Sequence, residues 1–163
     1  MKMYPLGLSK IPRLVIPMMV LVLIVACGSP TMLTTINLRD AEINQTLNKT
    51  PYIASPEGWA FKVQSAEIKD GFIRVYGDYT PRAIPTVSGS LDIALVVQDG
   101  QLKGEAKGMD FQDMTIPDAP IRQIANLLTQ SLVQTVSDGK KEPKFESVEI
   151  TEGLLKITLR FLP

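Results

Sequence analysis

Residues 121–136, Ile121-Arg122-Gln123-Ile124-Ala125-Asn126-Leu127-Leu128-Thr129-Gln130-Ser131-Leu132-Val133-Gln134-Thr135-Val136, decide the fold. Ile121, Ile124, Leu127, Leu128, Leu132, Val133 and Val136 recur mostly at helical spacing, while Arg122, Asn126, Thr129 and Gln130 share the polar face. At about 100° per residue the apolar positions take up about half the helical circumference, wider than the minimum stripe of a helix on a flat sheet. A concave sheet buries that width, so this helix is expected at the centre of the core.

Ser137-Asp138-Gly139 stops the helix, and a hairpin pattern follows: Phe145 to Thr151 and Leu154 to Phe161 flank Glu152-Gly153. Pairing across that turn sets Ile150 against Leu155 and Val148 against Ile157, so both strands direct apolar residues the same way. Two further hairpins precede the helix. Trp59 to Lys69 and Phe72 to Thr80 flank Asp70-Gly71, which suits a type I′ turn with positive φ at both central residues. That register puts Ile68 opposite Ile73 and Ala66 opposite Val75. Phe61 and Val63 then fall on the other face, so either both faces are partly covered or a bulge intervenes.

In the next pair, Thr86 to Gln98 turns at Asp99-Gly100 into Gln101 to Asp113. A two-residue turn sets Leu102, Gly104, Ala106 and Gly108 opposite Val97, Leu95, Ile93 and Leu91. The returning strand is nearly bare on its apolar face, which points to strong curvature or to close approach of another element. Farther upstream, Leu38 to Leu47 reads as a short helix with acidic residues in its first turn and Ile43 and Leu47 at i, i+4. A staple of Leu38 on Ile43 makes Arg39 the N-cap, a poor residue for that place, so the start falls there or at Asn37. The fold class is therefore α+β: a curved antiparallel sheet of about six strands around one long amphipathic helix, with a short N-terminal helix.

The amino end carries a different pattern. Basic Lys2, Lys10 and Arg13 precede an apolar run from Leu14 to Ala26, as in an export signal. A spanning helix needs roughly 20 apolar residues, and Pro17 weakens this run further. Ile24-Val25-Ala26-Cys27-Gly28 resembles the lipobox read by lipoprotein signal peptidase once diacylglycerol is on the cysteine sulfur. Ile24, Val25, Ala26 and Gly28 are then the recognition residues and Cys27, the one cysteine, is the lipidated residue. The alternative is a buried, inert cysteine. The expected organisation is a signal peptide over 1–26, a lipidated tether over 27–35 and one domain over 36–163, extracytoplasmic and lipid-anchored to a bacterial membrane.

Removal of residues 1–26 leaves 137 residues with 14 basic against 17 acidic, a net charge of −3. No run of Lys and Arg interleaved with aromatics appears, and Lys140-Lys141 reads as a solvated turn, so nucleic-acid binding is disfavoured. With no second cysteine for an intrachain disulfide, stability must come from the core.

Asp40-Ala41-Glu42-Ile43-Asn44-Gln45-Thr46-Leu47 after a lipobox, then Gly89-Ser90-Leu91-Asp92-Ile93, the long helix, and the Val148-Glu149-Ile150 to Leu155-Lys156-Ile157 hairpin are similar to the YceB-like bacterial lipoproteins. The resemblance implies a relation to the tubular lipid-binding (TULIP) architecture, in which a curved antiparallel sheet wraps a long helix and leaves an apolar groove. It implies no catalytic motif.

Without histidine, Ser-His-Asp and Cys-His nucleophilic sites and most zinc arrangements are excluded. Asp110, Asp113 and Asp118 lack EF-hand spacing and read as surface carboxylates. Glu67 with Asp70, and Glu149 with Glu152, read as solvated strand ends. No catalytic, metal or cofactor residues are assigned, and no enzyme is expected. The expected function is a membrane-anchored module holding a lipid or other apolar molecule, with Trp59, Ile121, Ile124, Leu128 and Leu132 as its lining. The alternative is a structural or protein-interaction lipoprotein without a small-molecule ligand.

Overall fold

The computed structural model describes residues 32–49, 51–82, 84–112, 114–137 and 143–161. The expected signal peptide, Ile24, Val25, Ala26, Cys27 and Gly28 lie outside the described residues, as do Asp113, Asp138, Gly139, Lys140 and Lys141. In chain order the elements are β1 Met32–Leu38, α1 Asp40–Leu47, β2 Tyr52–Ala54, β3 Ala60–Lys69, β4 Phe72–Thr80, β5 Val87–Gln98, β6 Gln101–Asp110, α2 Asp118–Ser137, β7 Lys144–Thr151 and β8 Leu154–Phe161.

The strands make two antiparallel sheets instead of one sheet of about six: a curled five-stranded sheet in the order β2-β3-β4-β5-β6, and a three-stranded sheet β1-β8-β7. Residues 32–35, expected in the tether, form half of β1, with Thr34 opposite Leu159 and Ile36 opposite Ile157. Local pattern alone did not mark β1, because only alternate positions of Met-Leu-Thr-Thr-Ile-Asn-Leu gain cover, and they gain it from β8. β2, three residues long, escaped for want of length.

The expected registers of the first and third hairpins hold, with Ile68↔Ile73, Ala66↔Val75, Ile150↔Leu155 and Val148↔Ile157 paired. A register shift between Val63 and Ser65 resolves the conflict over faces: one extra residue returns Phe61 and Val63 to the side of Ala66 and Ile68, and all four are buried. Turn types differ from expectation. Asp99 (φ 55°) and Gly100 (φ 75°) both have the positive φ of a type I′ turn, but at Asp70-Gly71 only Gly71 does (φ 83°). That turn and the Glu152-Gly153 turn interlock: Gly71 N–H donates to Ile150 O (3.1 Å) and Gly153 N–H to Ile68 O (3.0 Å).

The sheet curls around the β4–β5 pair, where Gly77 faces Gly89. A Cβ on Gly77 would lie 2.5 Å from the Phe61 ring, and one on Gly89 2.5 Å from the Phe111 ring, so the two aromatics occupy the space side chains would fill. The two helices close the open side of the curl: α1 packs on β3, α2 on β6, and they touch each other. β7 packs across the far ends of the hairpins, where Phe145 N–H donates to Gly100 O (2.9 Å). Ile43, Phe61, Leu155, Ile157 and Leu159 are completely buried between these layers.

The α1 sequence explains its docking. Arg39 is the N-cap, and its amide donates to Glu42 Oε2 (2.8 Å), the return half of a capping box, while Leu38 and Ile43 are both buried as the staple requires. One face of the helix then takes the place of a strand. Beyond β2, Ala66 N–H donates to Asn44 Oδ1 (2.8 Å), Asn44 Nδ2 donates to Ala66 O (2.8 Å), and Ile68 N–H donates to Asp40 Oδ1 (2.7 Å). Side chains at i and i+4 thus satisfy the β3 edge that β2 is too short to cover.

Candidate functional site

The expected lining residues do not come together around one cavity. Ile124, Leu128 and Leu132 point from α2 into the core. The crevice beside Leu128 and Leu132, walled by Ile43, Leu47, Ile73, Val75, Ile93 and Leu95, measures about 10 Å³. That is room for about one water molecule, against the several hundred Å³ of an ordinary small-molecule site. Trp59 lies elsewhere, 6.2 Å from the Tyr79 ring in an aromatic cluster, with Phe111 edge-on to Phe61 (6.3 Å) and to Tyr79 (6.4 Å). Its Nε1 is buried without a hydrogen-bond partner among the described residues. Burial, then Glu57, pushes the Tyr79 phenol upward from its ordinary value.

Ile121 alone of the five lines an open concavity, a groove of about 530 Å³ between β6 and the first half of α2. It arises from the bare strand noticed in the sequence. Leu102, Gly104 and Ala106 do oppose Val97, Leu95 and Ile93, but a shift between Asp92 and Ile93 then moves Gly108 to Asp92 and brings Met109 to Leu91. At Gly104 the helix touches the strand: a Cβ there would overlap the Thr129 hydroxyl and come within 3.0 Å of Ala125 O. Thr129, expected on the polar face, is consequently buried (3% exposed), and its hydroxyl donates to Ala125 O at 2.8 Å. The cover comes from a strand that carries no side chain at that point.

Past Gly104 the strand leaves the helix, and every residue from Glu105 to Asp110 is exposed. The groove is walled by residues 104–109 on the strand and by Asp118, Ile121, Arg122 and Asn126 on the helix. Met109 is 38% exposed. Each wall carries one anion and one cation, Glu105 and Lys107 on the strand (3.9 Å apart) and Asp118 and Arg122 on the helix. Of this wall the sequence reading named only Ile121 as lining; it took Gly104, Ala106 and Gly108 as a place of close approach, Arg122 and Asn126 as a polar face and Asp118 as a surface carboxylate, without joining them in one groove. The available signals were the run of small residues in β6 and the polar positions Arg122 and Asn126 at i, i+4.

The acidic candidates are dispersed. Asp110 and Asp118 are exposed, and among the described residues no group of three or more Asp, Glu, Cys or His is placed to hold a metal ion. Glu67 pairs with Lys69 (3.0 Å), Glu152 with Lys69 (3.4 Å), and Glu149 with Lys156 (3.6 Å). The hydrogen bond and charge of Lys69 hold the Glu67 carboxyl below the usual range, the reverse of what a general acid needs. Arg74 grips Asp92 across β4 and β5 with two hydrogen bonds of 2.7 and 2.8 Å, on a face away from the groove lining. No protein-family model matches this chain, and no curated protein matches it significantly.

Proposed function

We propose that this chain is an extracytoplasmic, non-catalytic lipoprotein, held at a bacterial membrane by lipid on Cys27, that docks another protein of the cell envelope in the groove between β6 and α2. The carrying observation is where the space lies. The interior crevice holds about 10 Å³, while the groove of about 530 Å³ is open, mixed in polarity and bounded on one side by a strand edge. Such an edge is the part of a sheet that recruits another chain.

The anchoring part is tested by feeding cells an alkyne analogue of palmitate: the wild type should be labelled and sediment with membranes, and Cys27→Ser should do neither. Unlabelled wild type refutes it. The docking part is tested by a photo-crosslinking amino acid at Asn126 in intact cells, with the exposed Gln45 position as control. A discrete protein adduct from Asn126 alone supports the reading, and equal behaviour at both positions refutes it.

The second reading, a carrier of lipid between α2 and a sheet wrapped around it as in the tubular lipid-binding architecture, is favoured by one observation: the small crevice is almost wholly aliphatic. A lipid of reproducible mass in native mass spectra of the purified protein would select it.

A further inference from the structure

We infer that a polar pocket between the carboxyl end of α1 and the second half of α2 binds the hydroxyl groups of a neutral sugar ring, with the Thr46 hydroxyl among its contacts. The pocket shares no residue with the β6–α2 groove, and the site stands whether or not a protein docks there.

Among the described residues two polar side chains are almost fully buried, Thr46 (2% exposed) and Thr129 (3%). Thr129 donates to Ala125 O, four residues back in its own helix. The other hydroxyls of α2 do the same: Ser131 donates to Leu127 O (3.1 Å), Thr135 to Ser131 O (3.1 Å) and Ser137 to Val133 O (2.6 Å). Thr46 is the exception. Its hydroxyl makes no hydrogen bond among the described residues, neither to Glu42 O nor to any other group. A buried hydroxyl without a partner costs stability, and Val would fill the same space without that cost. Thr46 lines the pocket, so a ligand seated there supplies the missing partner.

The pocket measures about 230 Å³ and is walled by Thr46, Lys49, Ser131, Gln134 and Thr135. At about 30 Å³ each that is room for about seven waters, the size of one sugar ring and below the roughly 300 Å³ at which drug-sized sites begin. No lining side chain is a plain hydrocarbon, so an apolar ligand gains little cover. Charge is nearly balanced. Lys49, the one charged residue of the lining, stands just past the carboxyl end of α1, where the last carbonyls carry partial negative charge. An anion would meet those carbonyls and the lone pairs of Thr135, whose proton is committed to Ser131 O. A cation would meet Lys49. The lining suits groups that both donate and accept without charge: O–H groups that accept from Lys49 and the Gln134 amide and donate to the oxygens of Thr46, Thr135 and Gln134. Adjacent hydroxyls on a sugar ring are such groups.

The test uses the purified full-length lipoprotein in micelles of dodecyldimethylamine oxide, a detergent without sugar. Glucose, N-acetylglucosamine and chitotetraose are titrated by ligand-observed saturation-transfer NMR. At least one of them should receive saturation, and Thr46→Val should weaken its binding about five- to tenfold, the loss of one neutral hydrogen bond. The same variant should unfold at the wild-type temperature or above it, because a methyl group replaces an unpaired hydroxyl. A lower unfolding temperature means that the hydroxyl is structural and overturns the inference. Gln134→Ala, at an exposed position that leaves folding intact, should weaken binding as well. Tighter binding of chitotetraose than of its monomer assigns the ring to a glycan chain, equal binding assigns it to a free sugar, and both support the site. No saturation of any sugar, or binding unchanged in both variants, overturns it. So does inorganic phosphate that binds in place of sugar, read as broadening of its phosphorus line that disappears in Lys49→Gln, which would assign the pocket to an anion.

Discussion

Replacing Asn44 by Ala should cost about 2–3 kcal/mol, a large effect for a side chain on a short surface helix. Asn44 makes three hydrogen bonds, two to the backbone of Ala66 (both 2.8 Å) and one from Nδ2 to Asp40 O (2.7 Å). Each is worth about 1 kcal/mol net, and a backbone group left unpaired where water is excluded costs about 1–3 kcal/mol. The site is partly buried, so some water reaches Ala66 in the variant and the lower half of that range applies. For a domain of this size each kcal/mol lowers Tm by about 3–5 °C, which gives a fall of roughly 6–15 °C. Thermal and urea unfolding followed by circular dichroism measures it, with the exposed Gln45→Ala in the same helix as control. Hydrogen exchange at the Ala66 amide should accelerate along with global unfolding. A loss below about 0.5 kcal/mol, or one equal to that of Gln45→Ala, would refute the claim that α1 substitutes for a missing strand.

Gly104→Ala should destabilise by about 1–3 kcal/mol through its overlap with the Thr129 hydroxyl, and adding Thr129→Ala should recover part of the loss, as a double-mutant cycle would show. Asp92→Asn should cost no more than about 1 kcal/mol in urea unfolding, because Arg74 is about one-third exposed and the pair faces solvent on the sheet's outside. Tyr79 is buried and its folded pKa is raised above its unfolded value. Its contribution is therefore fully present below about pH 10 and is lost as pH rises through the folded pKa, so stability should fall in that alkaline window. Tyr79→Phe should flatten the fall in a pH series of unfolding curves. An unchanged slope in that variant counts against a buried phenol as its source.

Local pattern determined much of this protein. The half-apolar face of residues 121–136 foretold a helix seated in a concave sheet, and Ile124, Leu128 and Leu132 are buried there. The pairs Ile68 with Ile73 and Ile150 with Leu155 followed from two-residue turns and strand alternation, because both depend on neighbours only a few positions away. The conflict between Val63 and Ala66 was legible as a possible bulge. Its place was not.

What the tertiary structure alone decided is what covers each residue. Met32–Leu38 is a strand because β8 pairs with it, and Thr129 is buried because Gly104 lets β6 come close. Asn44 is structural because β2 begins only at Tyr52, opposite Lys62, and leaves the backbone of Ala66 without a strand beside it. The groove has the same origin: small residues in β6 announced that something would approach, but only the path of α2 fixed where contact ends and where an open edge begins. Periodicity encodes which side of an element is apolar, whereas a site is the place where two elements fail to meet, and that depends on residues far apart in the chain.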